Sequence, residues 1–225
     1  ELIGLAPQAA LDQAAAASLQ LDRFDSSQVL ETRIAEAMRS KHEPAHALSH
    51  FLAAVADAKP APAGGGVTAF VGALAASLGV MGARIAGQSD REQRLLELSR
   101  QLHQLVQTDA EAYNGLMDAY KIPKQHPDRH QAILIGLQRA TEVPLEITEL
   151  SCEVARLLYA LREGAKPTIH SDLTVGLTLV IAAAKAGLIT VHTNTNMQEN
   201  HKLIHSIRLR IVKATESLEE LRVLC

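Results

Sequence analysis

Three short stretches carry residues whose types and spacing suit chemistry. Gly64-Gly65-Gly66 opens a run of alanine, glycine and small aliphatic residues that carries no charge until Arg84. Glycines let a backbone approach a ligand or another helix closely. The first N–H groups of a helix are unpaired and point outward, which suits an anionic or electron-rich ligand. Asp109 and Tyr113 stand four residues apart in a long apolar-periodic segment, so they share a helix face. A carboxylate there can move protons, although most helix aspartates are simply solvated. Ser171-Asp172 precedes another apolar segment; either residue suits a helix N-cap, and a cap at a pocket rim still offers a free oxygen.

Among the ten histidines, His42, His46 and His50 recur at four-residue spacing, as do His201 and His205. That spacing can hold zinc between two imidazoles. No acidic or cysteine partner completes either set and there is no H-E-x-x-H, so no metal site is expected.

These residues need elements to position them. The chain has 225 residues, 47% hydrophobic and 21% charged, enough for a sizeable core. Aromatics are 3% with no Trp, so that core must be aliphatic. A net charge of -3 gives no global support to nucleic-acid binding. Cys152 and Cys225 are far apart and in no metal spacing, which reads as reduced thiols in a cytoplasmic compartment. No secretory signal pattern is present. Ala63–Ala83 is uncharged and long enough to span a membrane, but it is dominated by alanine and glycine, which insert weakly. Gly72, Ala75 or Ala76, Gly79 and Ala83 form a small-residue stripe that admits a second helix, so a buried bundle helix is expected instead.

Helical periodicity runs almost throughout. His46–Ala58 is amphipathic. A long helix is predicted from Ser89 or Asp90 to about Tyr120, where Pro123 ends it. The next is capped by Asp128 and runs to about Glu163, with Pro144 bending or splitting it. Pro167–His170 reads as a loop, Ser171 or Asp172 as a helix start, and Val191–Asn196 as ambiguous. Gln198–Leu224 closes the chain as a helix. The fold class is therefore all-α: an up-and-down bundle of long helices, with a second copy packing alongside as a two-fold dimer.

Several strings then occur in a telling order: the glycine triplet opening an Ala/Gly helix, Asp109-Ala110-Glu111-Ala112-Tyr113, Lys121-Ile122-Pro123-Lys124, Val143-Pro144-Leu145 and Ser171-Asp172-Leu173. Together, over roughly residues 45–222, they resemble the cyclodeaminase/cyclohydrolase family of folate enzymes. The resemblance implies an all-α dimeric protein acting on a folate, without a metal or any cofactor beyond the tetrahydrofolate substrate. It implies Asp109 as the acid/base and Asp172 as a second catalytic carboxylate. It further implies Gly64, Gly65 and Gly66 against the pterin, with Tyr113, Ser171 and Asn194 as substrate contacts. Arg84, Lys121 and Lys124 would meet the anionic, often polyglutamated, tail.

The chain departs from the family pattern at Ala63 in place of Pro, Val67 in place of Ser and Thr190 in place of Asn; the second change removes a helix cap. Residues 1–37 resemble the end of a glutamate formimidoyltransferase domain, through Glu1-Leu2-Ile3-Gly4-Leu5-Ala6-Pro7 and Gln28-Val29-Leu30-Glu31. The expected organisation is a transferase-domain tail or linker over 1–40 and a cyclodeaminase-like helical domain over 41–225. The implied activity is closure of 5-formimidoyltetrahydrofolate to 5,10-methenyltetrahydrofolate, as in histidine degradation. Methenyltetrahydrofolate cyclohydrolase activity and a non-catalytic folate-binding module are the alternatives.

Overall fold

The computed structural model describes residues 8–18, 20, 29–30, 32–34, 44–196 and 201–222. No described residue lies in a strand, and the helices include α1 Gln8–Ser18, α2 Pro44–Ala56, α3 Gly64–Ala86, α4 Ser89–Lys121, α5 Arg129–Arg162, α6 Pro167–Asn196 and α7 His201–Arg222. The all-α expectation holds. The chain divides into two compact units, Glu1–Ala56 and Asp57–Cys225. The second unit contains every candidate site residue.

Its helices α3 to α6 form an up-and-down ring, each packed on the next, with α6 closing against α3. The glycines fix the directions. Gly65 lies against Asp109, Gly72 against Leu102 and Gly79 against Leu95, so α3 and α4 run antiparallel. Gly187 lies against Thr148 and Gly176 against Leu158, so α5 and α6 do as well. Gly82 against Leu173 and Gly176 against Ala75 set α6 antiparallel to α3. α7 packs on α5 and α6.

The core is aliphatic, as the composition requires: Leu95, Leu98, Leu102, Leu145, Ile147, Leu158, Leu173 and Leu177 are fully buried around the alanine-rich face of α3. α3 ends at Gly87, whose φ of 67° closes a left-handed cap, with the Gly87 and Gln88 N–H groups donating to the Arg84 and Ala83 carbonyls. Two bidentate pairs, Arg94 with Glu153 and Arg210 with Glu149, tie α4 and α7 to α5. Both are partly exposed and so add little stability. α3 and α6 each have the length and hydropathy to cross a membrane, with 61% and 50% of the relevant windows buried inside the chain.

Two local expectations change, and two left open are resolved. Pro167–His170 is not a loop: Pro167 opens α6, where a missing N–H costs nothing because the first turn has no acceptor for it. Asp172 therefore lies inside the helix, five residues past its start, and is not an N-cap. Val191–Asn196 is helical, with Val191 buried and the Thr193 hydroxyl donating back to the Ile189 carbonyl. Pro144 sits within a continuous α5 rather than dividing it.

Candidate functional site

The glycine triplet forms the first turn of α3, and its N-cap, Ala63, offers no side-chain acceptor. The acceptor comes from α4 instead. The Asp109 carboxylate receives the backbone N–H of Gly66. It also lies directly on Gly65: a Cβ there would come within 2.5 Å of the Asp109 Cγ. Only hydrogen fits between them, which accounts for the glycine at 65. Asp109 is half-buried, and that burial holds its pKa above the ordinary aspartate value, opposed in part by the Gly66 hydrogen bond.

Asp109 opens onto a cavity of about 440 Å³ at one end of the bundle. Gly64 and Gly65 of α3 line it, with Asp109, Tyr113 and Tyr120 from α4 and Thr190 and Asn194 from α6. The volume falls in the range of small-molecule sites. Asp109, Tyr113 and Tyr120 recur at four and seven residues, so one stripe of α4 presents a carboxylate and two phenols. Asn194 donates its Nδ2 to the Ala140 carbonyl at 2.6 Å. A larger cavity, about 640 Å³, opens on another side of the α4–α5 seam between Thr108, Gly115, Ile135 and Arg139, and Asp109 is not part of it.

Five candidates thus meet at one cavity: Gly64, Gly65, Asp109, Tyr113 and Asn194. Gly66 lies buried behind them, holding Asp109 through its N–H. Lys121 follows the cavity-lining Tyr120 at the end of α4, exposed and paired with Asp118 at 2.8 Å. Lys124 is exposed in the connection beyond.

The remaining three stand elsewhere in the chain. Leu173 packs on Gly82, seventeen residues along α3 from Gly65, so Asp172 and Ser171 sit about 26 Å away at the opposite end of the bundle. Arg84 is at that end too, on Glu92 at 2.6 Å. Tyr120 and Thr190 were not among the expected contacts; the seven-residue interval from Tyr113 to Tyr120 was the available signal for the first. Among the described residues no three His, Cys, Asp or Glu side chains gather, and His42, His46, His201 and His205 lie outside the side chains described.

The family model for formiminotransferase-cyclodeaminase matches residues 47–213. The chain belongs to that family. Its members include folate one-carbon enzymes similar to this chain. A methenyltetrahydrofolate cyclohydrolase of Methylorubrum extorquens is 29% identical over 64% of the chain and 76% of its own length. The formimidoyltransferase-cyclodeaminases of Gallus gallus and Mus musculus are 28% and 33% identical over 65% and 57% of the chain. The chain spans only 30% and 26% of those two longer proteins. The crystal structure of formiminotetrahydrofolate cyclodeaminase from Thermotoga maritima superposes with a TM-score of 0.71 over 79% of this chain and 92% of that one, at 22% identity, so the fold is that of the family.

Proposed function

We propose that the chain cyclises 5-formimidoyltetrahydrofolate to 5,10-methenyltetrahydrofolate and releases ammonia, with no cofactor and no metal. One observation carries this reading: a half-buried carboxylate, pinned between a glycine and a backbone N–H, faces a pterin-sized cavity. In the reaction N10 attacks the formimidoyl carbon and a C–N bond forms. The formimidoyl group enters as its amidinium, N5–CH=NH2+; Asp109 takes the N10 proton and passes it to that nitrogen, whose bond to carbon then breaks as neutral ammonia leaves and the positive charge stays on the methenyl group. One proton moves from one nitrogen to the other, carried by Asp109, while a second carboxylate, Asp172 of a partner copy, stabilises the cationic amidine carbon. Burial suits the task, because a raised pKa brings donor and acceptor forms closer to neutral pH. Tyr113 flanks the pterin, and Lys121 and Lys124 meet the anionic tail beyond the Tyr120 rim.

A second reading, hydrolysis of 5,10-methenyltetrahydrofolate, has support in the fuller overlap with the Methylorubrum cyclohydrolase. Asp109 would then activate water at the methenyl carbon. The resemblance of residues 1–37 to a transferase tail favours cyclisation. Absorbance separates them: the methenyl chromophore grows from the 5-formimidoyl compound in one case and fades from the methenyl compound in the other. No change with either compound leaves the non-catalytic folate-binding module.

The working unit in this proposal is a cytoplasmic two-fold homodimer. The outward face of α3, through Val67, Val71, Leu74, Leu78, Met81 and Ile85, is apolar from end to end and at least partly exposed. A helix apolar on all sides is normally covered. A second copy laid antiparallel along it brings the Arg84, Ser171 and Asp172 end of one subunit to the Gly65 end of the other. That arrangement gives Asp172 a route to the reaction that a single chain does not offer.

A further inference from the structure

We infer that the larger cavity on the α4–α5 seam is a second binding site, shaped for a linear amphiphile with one anionic head: a medium-chain fatty carboxylate whose head meets Arg139. The inference stands apart from the folate reading, because Ala112 is the one lining residue this cavity shares with the Asp109 cavity.

Two glycines shape it. Leu116 lies on Gly136 and Arg94 on Glu153, so α4 and α5 run antiparallel. A Cβ at Gly136 would stand 3.0 Å from the Leu116 Cα, and its absence lets the two backbones close on each other there. Gly115 does the opposite: nothing lies within 4 Å of the place its Cβ would take, so the trough is recessed at that point. The α4 lining recurs every three or four positions from Thr108 to Ile122, so the trough runs along the helix rather than across it. Its volume, about 640 Å³, is that of a small-molecule site. Ala119, Ile122, Ala132 and Ile135 make one end apolar, and Ile135 is left 58% exposed on its edge.

Charge marks the other end. Glu111, Asp118 and Arg139 are the charged side chains of the lining. Asp118 is exposed and holds Lys121 at 2.8 Å, and Glu111 accepts from the Gln107 amide at 3.1 Å. Arg139 has no hydrogen bond or ion pair with any described residue. Its guanidinium is the uncommitted charge of the site, and a carboxylate is the group that its parallel N–H donors fit. From Arg139 along α5 to Ala132 the lining spans roughly 10 Å, the reach of an alkyl chain of about eight carbons. A tail carrying a further polar group would bury that group against alanine, glycine and isoleucine, which costs affinity.

Calorimetric titration of the whole chain with octanoate and its neutral counterpart octanamide tests this. Wild type should bind one octanoate per chain, about tenfold more tightly than the amide, the scale of hydrogen bonds to a charged group. Arg139→Gln should remove that preference. Glu111→Gln takes a like charge from the head's end of the trough and should tighten octanoate by roughly threefold. Gly115→Leu should fill the recess and weaken both probes about tenfold or more. Leucine is the better helix former, so this variant should melt no lower than wild type, and lost binding at an undiminished melting temperature is then loss of the site. Saturating 5-formyltetrahydrofolate should not displace octanoate. Equal binding of the two probes by wild type, an unaltered preference in Arg139→Gln, or full binding by Gly115→Leu overturns the site. Weaker octanoate binding in Glu111→Gln overturns the placement of the head. Displacement by the folate overturns the separation of the two cavities.

Discussion

Gly65 and Asp109 occupy complementary halves of one contact: position 65 has no room for a methyl group because the carboxyl of Asp109 fills it. Gly64, its neighbour in the same turn, has nothing within 4 Å of the place a methyl group would take and serves as the internal control. Gly65→Ala should push Asp109 off the α3 terminus and lower kcat by roughly 100-fold or more, the scale of a misplaced acid/base. Gly64→Ala should stay within a few-fold of wild type. Equal kinetics for the two variants would refute the placement of Asp109.

Asp109 has two jobs that substitutions can separate. Asn keeps an acceptor for the Gly66 N–H but cannot carry the proton, so Asp109→Asn should cut turnover by roughly 100- to 10,000-fold with little change in melting temperature. Ala removes the acceptor as well and should cost a further 0.5–2 kcal/mol of stability, roughly the value of a helix cap. Urea unfolding of both variants beside steady-state assays is the measurement.

The pH dependence follows from the direction of the Asp109 shift. Its folded pKa lies above the unfolded value because burial disfavours the charge. Between those two values the native state binds more proton than the unfolded state, so stability falls as pH rises through that window. Above the folded pKa the cost is constant. Activity runs the other way, since the carboxylate must be ionised to take the N10 proton: kcat should drop as pH falls through the raised pKa. Asp109→Asn should flatten the first trend, which chemical denaturation at a series of pH values will show.

Ser151 is buried between α5 and α3, its hydroxyl 3.2 Å from where a Gly72 Cβ would stand, and that hydroxyl has no hydrogen-bond partner among the described residues. Ser151→Ala should therefore be neutral or raise stability by about 1 kcal/mol, since it removes an unsatisfied polar group. Thr148→Val should do the reverse, because its hydroxyl serves the Pro144 carbonyl at 2.9 Å. Thermal melts of the two single variants make the comparison, and a destabilised Ser151→Ala would contradict it.

The dimer proposal predicts complementation. Asp109→Asn and Asp172→Asn should each be inactive alone. Refolded together, mixed dimers should regain activity, because one of their two composite sites keeps both carboxylates. An active Asp172→Asn enzyme, or no recovery on mixing, would remove Asp172 from the reaction.

Much of this architecture was legible in the chain. Leucine spacing along Leu95, Leu98, Leu102 and Leu105 declared α4, and the glycine triplet marked the end where the cavity lies. Pro167 misled because proline signals a break in general but a start at a first turn, and only the packing of Ile169 and Leu173 distinguishes the two. Separation was harder still. Asp109 and Asp172 look alike as helix aspartates, and only the antiparallel registry of α3 with α4 and α6 sends them to opposite ends. Asn194 drew notice through the family pattern, whereas its bond to the Ala140 carbonyl joins residues 54 positions apart and exists only once α5 and α6 are packed.

Because the opening turn of α3 borrows its cap from α4, the same oxygen atoms serve chemistry and architecture. Selection to keep the domain folded would then preserve an acceptor at position 109 even in a lineage that had given up turnover. Persistence of this aspartate in a distant homologue is accordingly a poor diagnostic of an active enzyme.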